Sequence, residues 1–247
     1  MDTKLFFIPL VLIIFLITSS ISGCFGSVGG NSTTTPVPSG NVVTVEAVVS
    51  NDTITISGIK TDSASEVIST DFHLDEGAYL VSWENEGNLG NIFTASLDVS
   101  NGDGLYLISL ISDTKGSDVM VVGDVMIPSG MYHLDVGNGG TFAVTITKPT
   151  SGNSIPLTMN VSNGSSVAQA VQLNTGSVKI NVTHDVVPDD TTIVRLYDLK
   201  GKSVLSEWVQ QSDGTSKELT CDIPTAGIYL ISATFSQNTG GEVTISQ

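Results

Sequence analysis

The chain predicts an all-β protein, two tandem antiparallel β-sandwiches behind an N-terminal export segment. Three observations carry this. Beyond residue 24 no amphipathic helical period appears, and short alternating runs of Val, Ile, Thr, Tyr and Phe are broken by Gly, Asn and Asp. These runs recur at the spacing of about 8–12 residues that marks sandwiches and barrels. The second half of the chain also repeats the first at an offset of 96 to 99 residues.

The N-terminus comes first. Lys4 precedes an apolar run from Leu5 to Ile17, followed by Thr18, Ser19, Ser20 and Ile21-Ser22-Gly23-Cys24. A short basic start, an apolar stretch and small residues before a cleavage point make an export signal. The Ile-Ser-Gly-Cys ending resembles a lipobox, where prokaryotic lipoproteins are cleaved and lipidated on cysteine. Residues 1–23 are therefore expected to be a lipoprotein signal peptide and Cys24 the lipidation site. An uncleaved membrane anchor is the alternative, but its apolar core falls short of the roughly 20 residues that span a bilayer. Either reading places the remaining chain on the extracytoplasmic face of the cell membrane.

Residues 24–40 are rich in Gly, Ser, Thr and Pro without apolar period, the composition of a flexible stem. The first sandwich is expected over 41–149. Val43 to Ile59 reads as two strands around an Asn51-Asp52 turn. Tyr79, Val81 and Trp83 alternate with Ser82 and Glu84, and Tyr132, Leu134 and Val136 with His133 and Asp135, so the apolar members face a core. Lys148-Pro149-Thr150-Ser151-Gly152-Asn153 reads as a linker, and the second sandwich follows over 153–247 as a duplicate of the first.

The repeat is specific in its punctuation. Leu74-Asp75-Glu76-Gly77-Ala78-Tyr79 parallels Leu173-Asn174-Thr175-Gly176-Ser177-Val178, and Ile127-Pro128-Ser129-Gly130-Met131-Tyr132 parallels Ile223-Pro224-Thr225-Ala226-Gly227-Ile228-Tyr229. Val144-Thr145-Ile146 matches Val243-Thr244-Ile245 at the offset of 99. Two copies of this length predict two autonomous sandwiches rather than a solenoid.

These glycine-turn-tyrosine strands, Gly77-Ala78-Tyr79, Gly130-Met131-Tyr132 and Gly227-Ile228-Tyr229, resemble the pre-peptidase C-terminal domain and related jelly rolls. The second copy departs from that pattern, with Val178 and Val182 standing at the places of Tyr79 and Trp83. The resemblance implies jelly-roll-like domains that are non-catalytic appendages of secreted enzymes and surface proteins, some of them binding polymers or calcium. The signal and stem resemble those of archaeal surface lipoproteins.

Charge restricts the partners. The net charge is −16, and residues 41–150 hold fifteen Asp or Glu against three Lys, a balance of −12. Residues 151–247 hold nine acids against five bases, a balance of −4. Such a surface repels phosphate backbones, which argues against nucleic acid. With Cys24 lipidated, Cys221 has no disulfide partner, and its place between Leu219 and Ile223 reads as a small apolar packing residue.

Candidate sites are few. Asn31, Asn51, Asn160, Asn163 and Asn181 each open an Asn-x-Ser/Thr sequon and are glycosylation candidates. His73, His133 and His184 are the only histidines, and His73 and His133 should face outward from strands. No zinc-protease, nucleophile-elbow or phosphate-loop motif occurs, so no enzyme, catalytic residue or cofactor is expected. Asp98, Asn101 and Asp103 make the one calcium-like loop, but Val99 stands where a ligand is needed and Lys200 and Lys202 occupy the second copy's loop. A glycine-rich hairpin turn is the reading favoured there. Tyr79, Trp83, Tyr106 and Tyr132 are candidates for a sugar platform, but alternation puts Tyr79, Trp83 and Tyr132 on the core face with Val81, Leu134 and Val136; Trp208 is the better exposed aromatic. The expected protein is a non-catalytic surface lipoprotein with a structural, adhesive or partner-binding role, its partners the membrane through its lipid and an envelope protein or polysaccharide. The alternatives are a carbohydrate- or calcium-binding receptor and, more distantly, a hydrolase.

Overall fold

The computed structural model describes residues 42–61, 65–86, 94–99, 105–106, 115–123, 127–138, 140–184, 191–210, 215–236 and 239–247. All lie in one compact unit, Pro38–Gln247. The signal segment, Cys24, the stem with Asn31, and Asn101 and Asp103 lie outside the described residues.

The first half contributes β1 (Val42–Val45), β2 (Ala47–Ser50), β3 (Thr53–Ile59), β4 (Glu66–Ser69), β5 (Phe72–Leu74), β6 (Gly77–Glu86), β7 (Thr94–Val99), β8 (Leu105–Tyr106), β9 (Lys115–Val122), β10 (Gly130–Asn138) and β11 (Thr141–Thr147). One sheet runs β1-β4-β10-β7-β8 with β5 also on β10; the facing sheet runs β2-β3-β11-β6-β9. The second half contributes β12 (Leu157–Val161), β13 (Ser166–Leu173), β14 (Gly176–His184), β15 (Thr191–Asp198), β16 (Ser203–Gln210), β17 (Ser216–Ile223), β18 (Gly227–Phe235) and β19 (Gly241–Ser246). Its sheets run β12-β19-β14-β17 and β13-β18-β15-β16. Counted from β12, that is first-last-third-sixth facing second-seventh-fourth-fifth, the order of an eight-stranded jelly roll. The first half carries the same order in β3-β11-β6-β9 and β4-β10-β7-β8. The chain is therefore all-β, two tandem jelly-roll sandwiches.

Each sandwich closes on its own apolar layer. Tyr79, Val81, Trp83, Tyr132, Leu134 and Val144 are buried in the first. Val178, Ile180, Val182, Leu196, Tyr229 and Val243 fill the second. The alternation read from sequence is thus the alternation of burial.

Two details differ from the sequence reading. Residues 42–59 form three strands rather than two: Glu46 breaks β1 from β2 and passes the chain from one sheet to the other. Asn51 makes the following turn in the left-handed region, at φ 50°, which Asn tolerates better than most residues. The sheets are also not wholly antiparallel, since β1 pairs in parallel with β4, Val43 opposite Val67.

The glycine-turn-tyrosine pattern has a local cause. Gly77 and Gly176 enter their strands at φ 140° and 124°, a conformation that side chains resist. The Tyr79 hydroxyl donates to the Asp75 carbonyl at 2.9 Å, and the Tyr229 hydroxyl to the Thr225 carbonyl at 2.7 Å. Tyr132 donates likewise to Pro128. Each tyrosine buries its ring in the core and ties its polar tip to the carbonyl four residues back, fixing the turn that precedes its strand.

Candidate functional site

The two sandwiches are not independent. Ala78 and Leu80 of β6 and Val119 of β9 pack on Ala170, Tyr197, Leu199, Ile228 and Leu230 of the second sandwich. The Ala78 N–H donates to the Leu199 carbonyl at 3.0 Å. The Ser117 hydroxyl accepts from the Ala168 N–H at 2.8 Å and donates back to its carbonyl at 3.3 Å. Close approach depends on two glycines: a Cβ on Gly77 would stand 2.8 Å from the Leu199 oxygen, and one on Gly201 2.5 Å from Val121 Cγ1. The linker is stitched down as well, Lys148 by its N–H to the Asp52 carbonyl and Asn153 by hydrogen bonds to Ala170 and Gln172 of β13.

Asp118 sits in this seam. Its carboxylate accepts the Val119 N–H at 2.7 Å. Burial pushes its pKa up, opposed by the Val119 N–H, the Arg195 guanidinium and the hydroxyls of Ser232 and Ser166. An acid from one sandwich is thus received by hydroxyls and a cation from the other, leaving little polar mismatch in an otherwise apolar contact.

Two clefts flank the seam. The first, about 890 Å³, is floored by Ser82, Thr145 and Ser117 on the outer face of the β11-β6-β9 sheet and walled by Asn160, Ser162 and Ser165. Glu84 and Lys115 pair at its rim. The second, about 730 Å³, lies between the Asn51 turn, the 148–153 linker and Ala168 to Ala170. Hydroxyls and amides line both, interspersed with apolar groups such as Ala143 and Val167 in the first and Leu80, Pro149 and Ala168 in the second.

The predicted site residues fall in several places. Asn51, Asn160, Asn163 and Asn181 are all exposed. Asp98 is half-buried on β7 opposite His133. Its charge helps to raise the pKa of Asp135, after burial and Glu66. His133 approaches Asp71 at 3.7 Å and His73 approaches Asp75 at 3.4 Å, both from the outer face. Among the described residues no three ligating side chains converge as a metal site. In the second copy the register places Tyr197, not an acid, at the position of Asp98. The next residue, Asp198, accepts the Lys200 and Lys202 N–H groups at 2.9 Å each, so that carboxylate closes a hairpin turn. Cys221 is half-buried against the core and burial raises its thiol pKa. Trp208 is 57% exposed. Among the described residues no helix is long and apolar enough to cross a membrane.

Alternation alone did not reveal the seam or Asp118. A sign was present in Val119-Met120-Val121-Val122 and Ile228-Tyr229-Leu230-Ile231, continuous apolar runs where a half-wet strand should alternate.

No known family model matches the chain, and no curated protein matches it. Among solved structures it is similar to the N-terminal CBM22-1-CBM22-2 tandem domain from Paenibacillus barcinonensis Xyn10C, at 11% identity over 78% of this chain and 86% of that one, TM-score 0.23. It is similar to the CUB1-EGF-CUB2 domains of rat MASP-1, at 9% identity over 84% and 100%, TM-score 0.24. It is also similar to the 11S allergen from Cocos nucifera, at 9% identity over 78% and 80%, TM-score 0.22. These neighbours are distant, and the jelly-roll assignment rests on strand order and register.

Proposed function

We propose that this chain is a non-catalytic lipoprotein on the extracytoplasmic face of the cell membrane, anchored through Cys24, with a structural, adhesive or partner-binding role at the envelope. The observation that carries the reading is the seam. Apolar packing and hydrogen bonds across it join two sandwiches into one body, suited to presenting loops and sheet faces at the end of a stem. The tyrosine-clamped turns support the likeness to pre-peptidase C-terminal domains, and the export signal with its lipobox-like ending supports an archaeal or other prokaryotic envelope. Fractionation tests this directly. The protein should pellet with membranes and be cleaved by protease added to intact cells, and Cys24→Ser should release it or leave it unprocessed. A protease-resistant cytosolic protein with an unmodified N-terminus would overturn the proposal.

A second reading, a carbohydrate receptor, draws on Trp208, whose ring stands on the outer face of β16 opposite Ile193. Loss of polysaccharide retention on Trp208→Ala, with unchanged melting, would support it.

A further inference from the structure

We propose that the two clefts flanking the seam are the seats of N-linked glycans carried by this chain on Asn51 and Asn160. The inference rests on the extracytoplasmic reading above. Exposure does not single these two out, since Asn163 and Asn181 are exposed as well. Position does. Asn160 and Ser162, the first and third residues of one sequon, both line the first cleft. Asn51 and Thr53 of another both line the second. Asn163 and Asn181 line neither.

The lining suits such an occupant. Ser82, Ser117, Thr145 and Ser165 offer hydroxyls in the first cleft, and Ser50, Thr147, Thr150 and Gln169 offer hydroxyls and an amide in the second. A polyhydroxylated chain exchanges hydrogen bonds with such groups directly or through water. Volumes of about 890 and 730 Å³ accommodate a short oligosaccharide. Tethering at the wall supplies the occupant at high effective concentration, so weak contacts suffice.

In the modification, the Asn Nδ2 bonds to the anomeric carbon of an oligosaccharide held on a lipid phosphate. The anomeric C–O bond breaks, the lipid phosphate leaves, and the amide proton passes to the transferase. Once seated, both glycans lie against the seam: Ser117 lines the first cleft and Ala168, the residue it holds, lines the second. They should therefore hold the seam closed.

The test uses the full chain purified from its native envelope. Glycopeptide mass spectrometry should find Asn51 and Asn160 occupied. Deglycosylation should speed hydrogen exchange at the Ala168 amide by roughly tenfold, as expected for a tethered millimolar ligand at a site about tenfold tighter. Ser162→Ala and Thr53→Ala, which keep each asparagine but destroy its sequon, should each reproduce part of that loss. The same variants made in a host without N-glycosylation should exchange like their unmodified parent, which separates glycan loss from hydroxyl loss. Asn181→Gln should leave the seam unchanged. Empty Asn51 and Asn160 beside an occupied Asn163 or Asn181, or exchange indifferent to deglycosylation, would overturn the inference and leave the surface assignment standing. All sequons empty in a cytosolic protein would overturn both.

Discussion

The two sandwiches share a strand order but differ in which outer face is dry. In β10 the outward positions are Met131, His133 and Asp135, exposed or half-buried. At the matching places in β18 stand Ile228, Leu230 and Ser232, and Leu230 and Ser232 are fully covered. The facing sheets show the reverse. Ala78 and Leu80 of β6 enter the seam, whereas Ser177 and Lys179 hold those places in β14 and face solvent. The seam therefore joins unlike faces, head to tail. Such a contact could in principle repeat with each further copy. Here the free face on either side carries charge, Asp135 on one and Lys179 on the other, which opposes another sandwich or another molecule stacking on it. We propose a tandem duplication in which the outward residues diverged while the inward ones kept their character.

The largest expected difference lies in the cores. Trp83→Ala should cost about 3–5 kcal/mol in a urea melt, because its ring is almost wholly buried. Val182→Ala at the matching place should cost about 2 kcal/mol. Equal losses would mean that the first core collapses around the missing indole.

Next come the paired glycines. Gly176→Ala meets only strained backbone, with its nearest neighbour, Gln247, 3.9 Å away, and should cost about 1–3 kcal/mol. Gly77→Ala adds a collision with the Leu199 carbonyl and should cost about 1–3 kcal/mol more, with faster exchange at the Ala78 amide. If the two variants melt alike, the seam gives way freely and contributes little to holding the sandwiches together.

The tyrosine clamps should be smaller in effect. Tyr229→Phe removes the only such clamp seen in the second sandwich among the described residues and should cost about 1 kcal/mol. Tyr79→Phe should cost less, since Tyr132 still ties the other turn of the first sandwich.

Asp118 offers the finest test, a slope rather than an offset. Burial holds its carboxyl above the ordinary 3.8, so the folded chain binds that proton more tightly than the unfolded one. Its contribution is full below that ordinary value and is lost as pH rises through the higher folded value. In denaturation midpoints taken across that window, wild type minus Asp118→Asn should fall as pH rises. A difference that rises with pH would mean that Arg195 and the serines outweigh burial.

Much of the fold was legible because a half-buried strand must alternate. Tyr79, Val81, Trp83, Ile180 and Val182 follow that rule and all are buried. The candidate sites were less legible, since a sequon or an acidic loop carries no statement about what lies across from it. Asn160 reads in sequence like Asn181, and only packing sets one on a cleft wall and the other on an open sheet.

By itself the sequence determined the all-β class, the strand periods, the inward residues and the glycine turns, because each depends on neighbours two to five positions away. Tertiary structure alone decided the parallel pairing of β1 with β4, the partial burial of Asp118 and the meeting of Leu230 with Ala78. Those depend on surfaces brought together from distant parts of the chain. The apolar run of β18 announces that both its faces are covered, but its residues hold no record of what covers them.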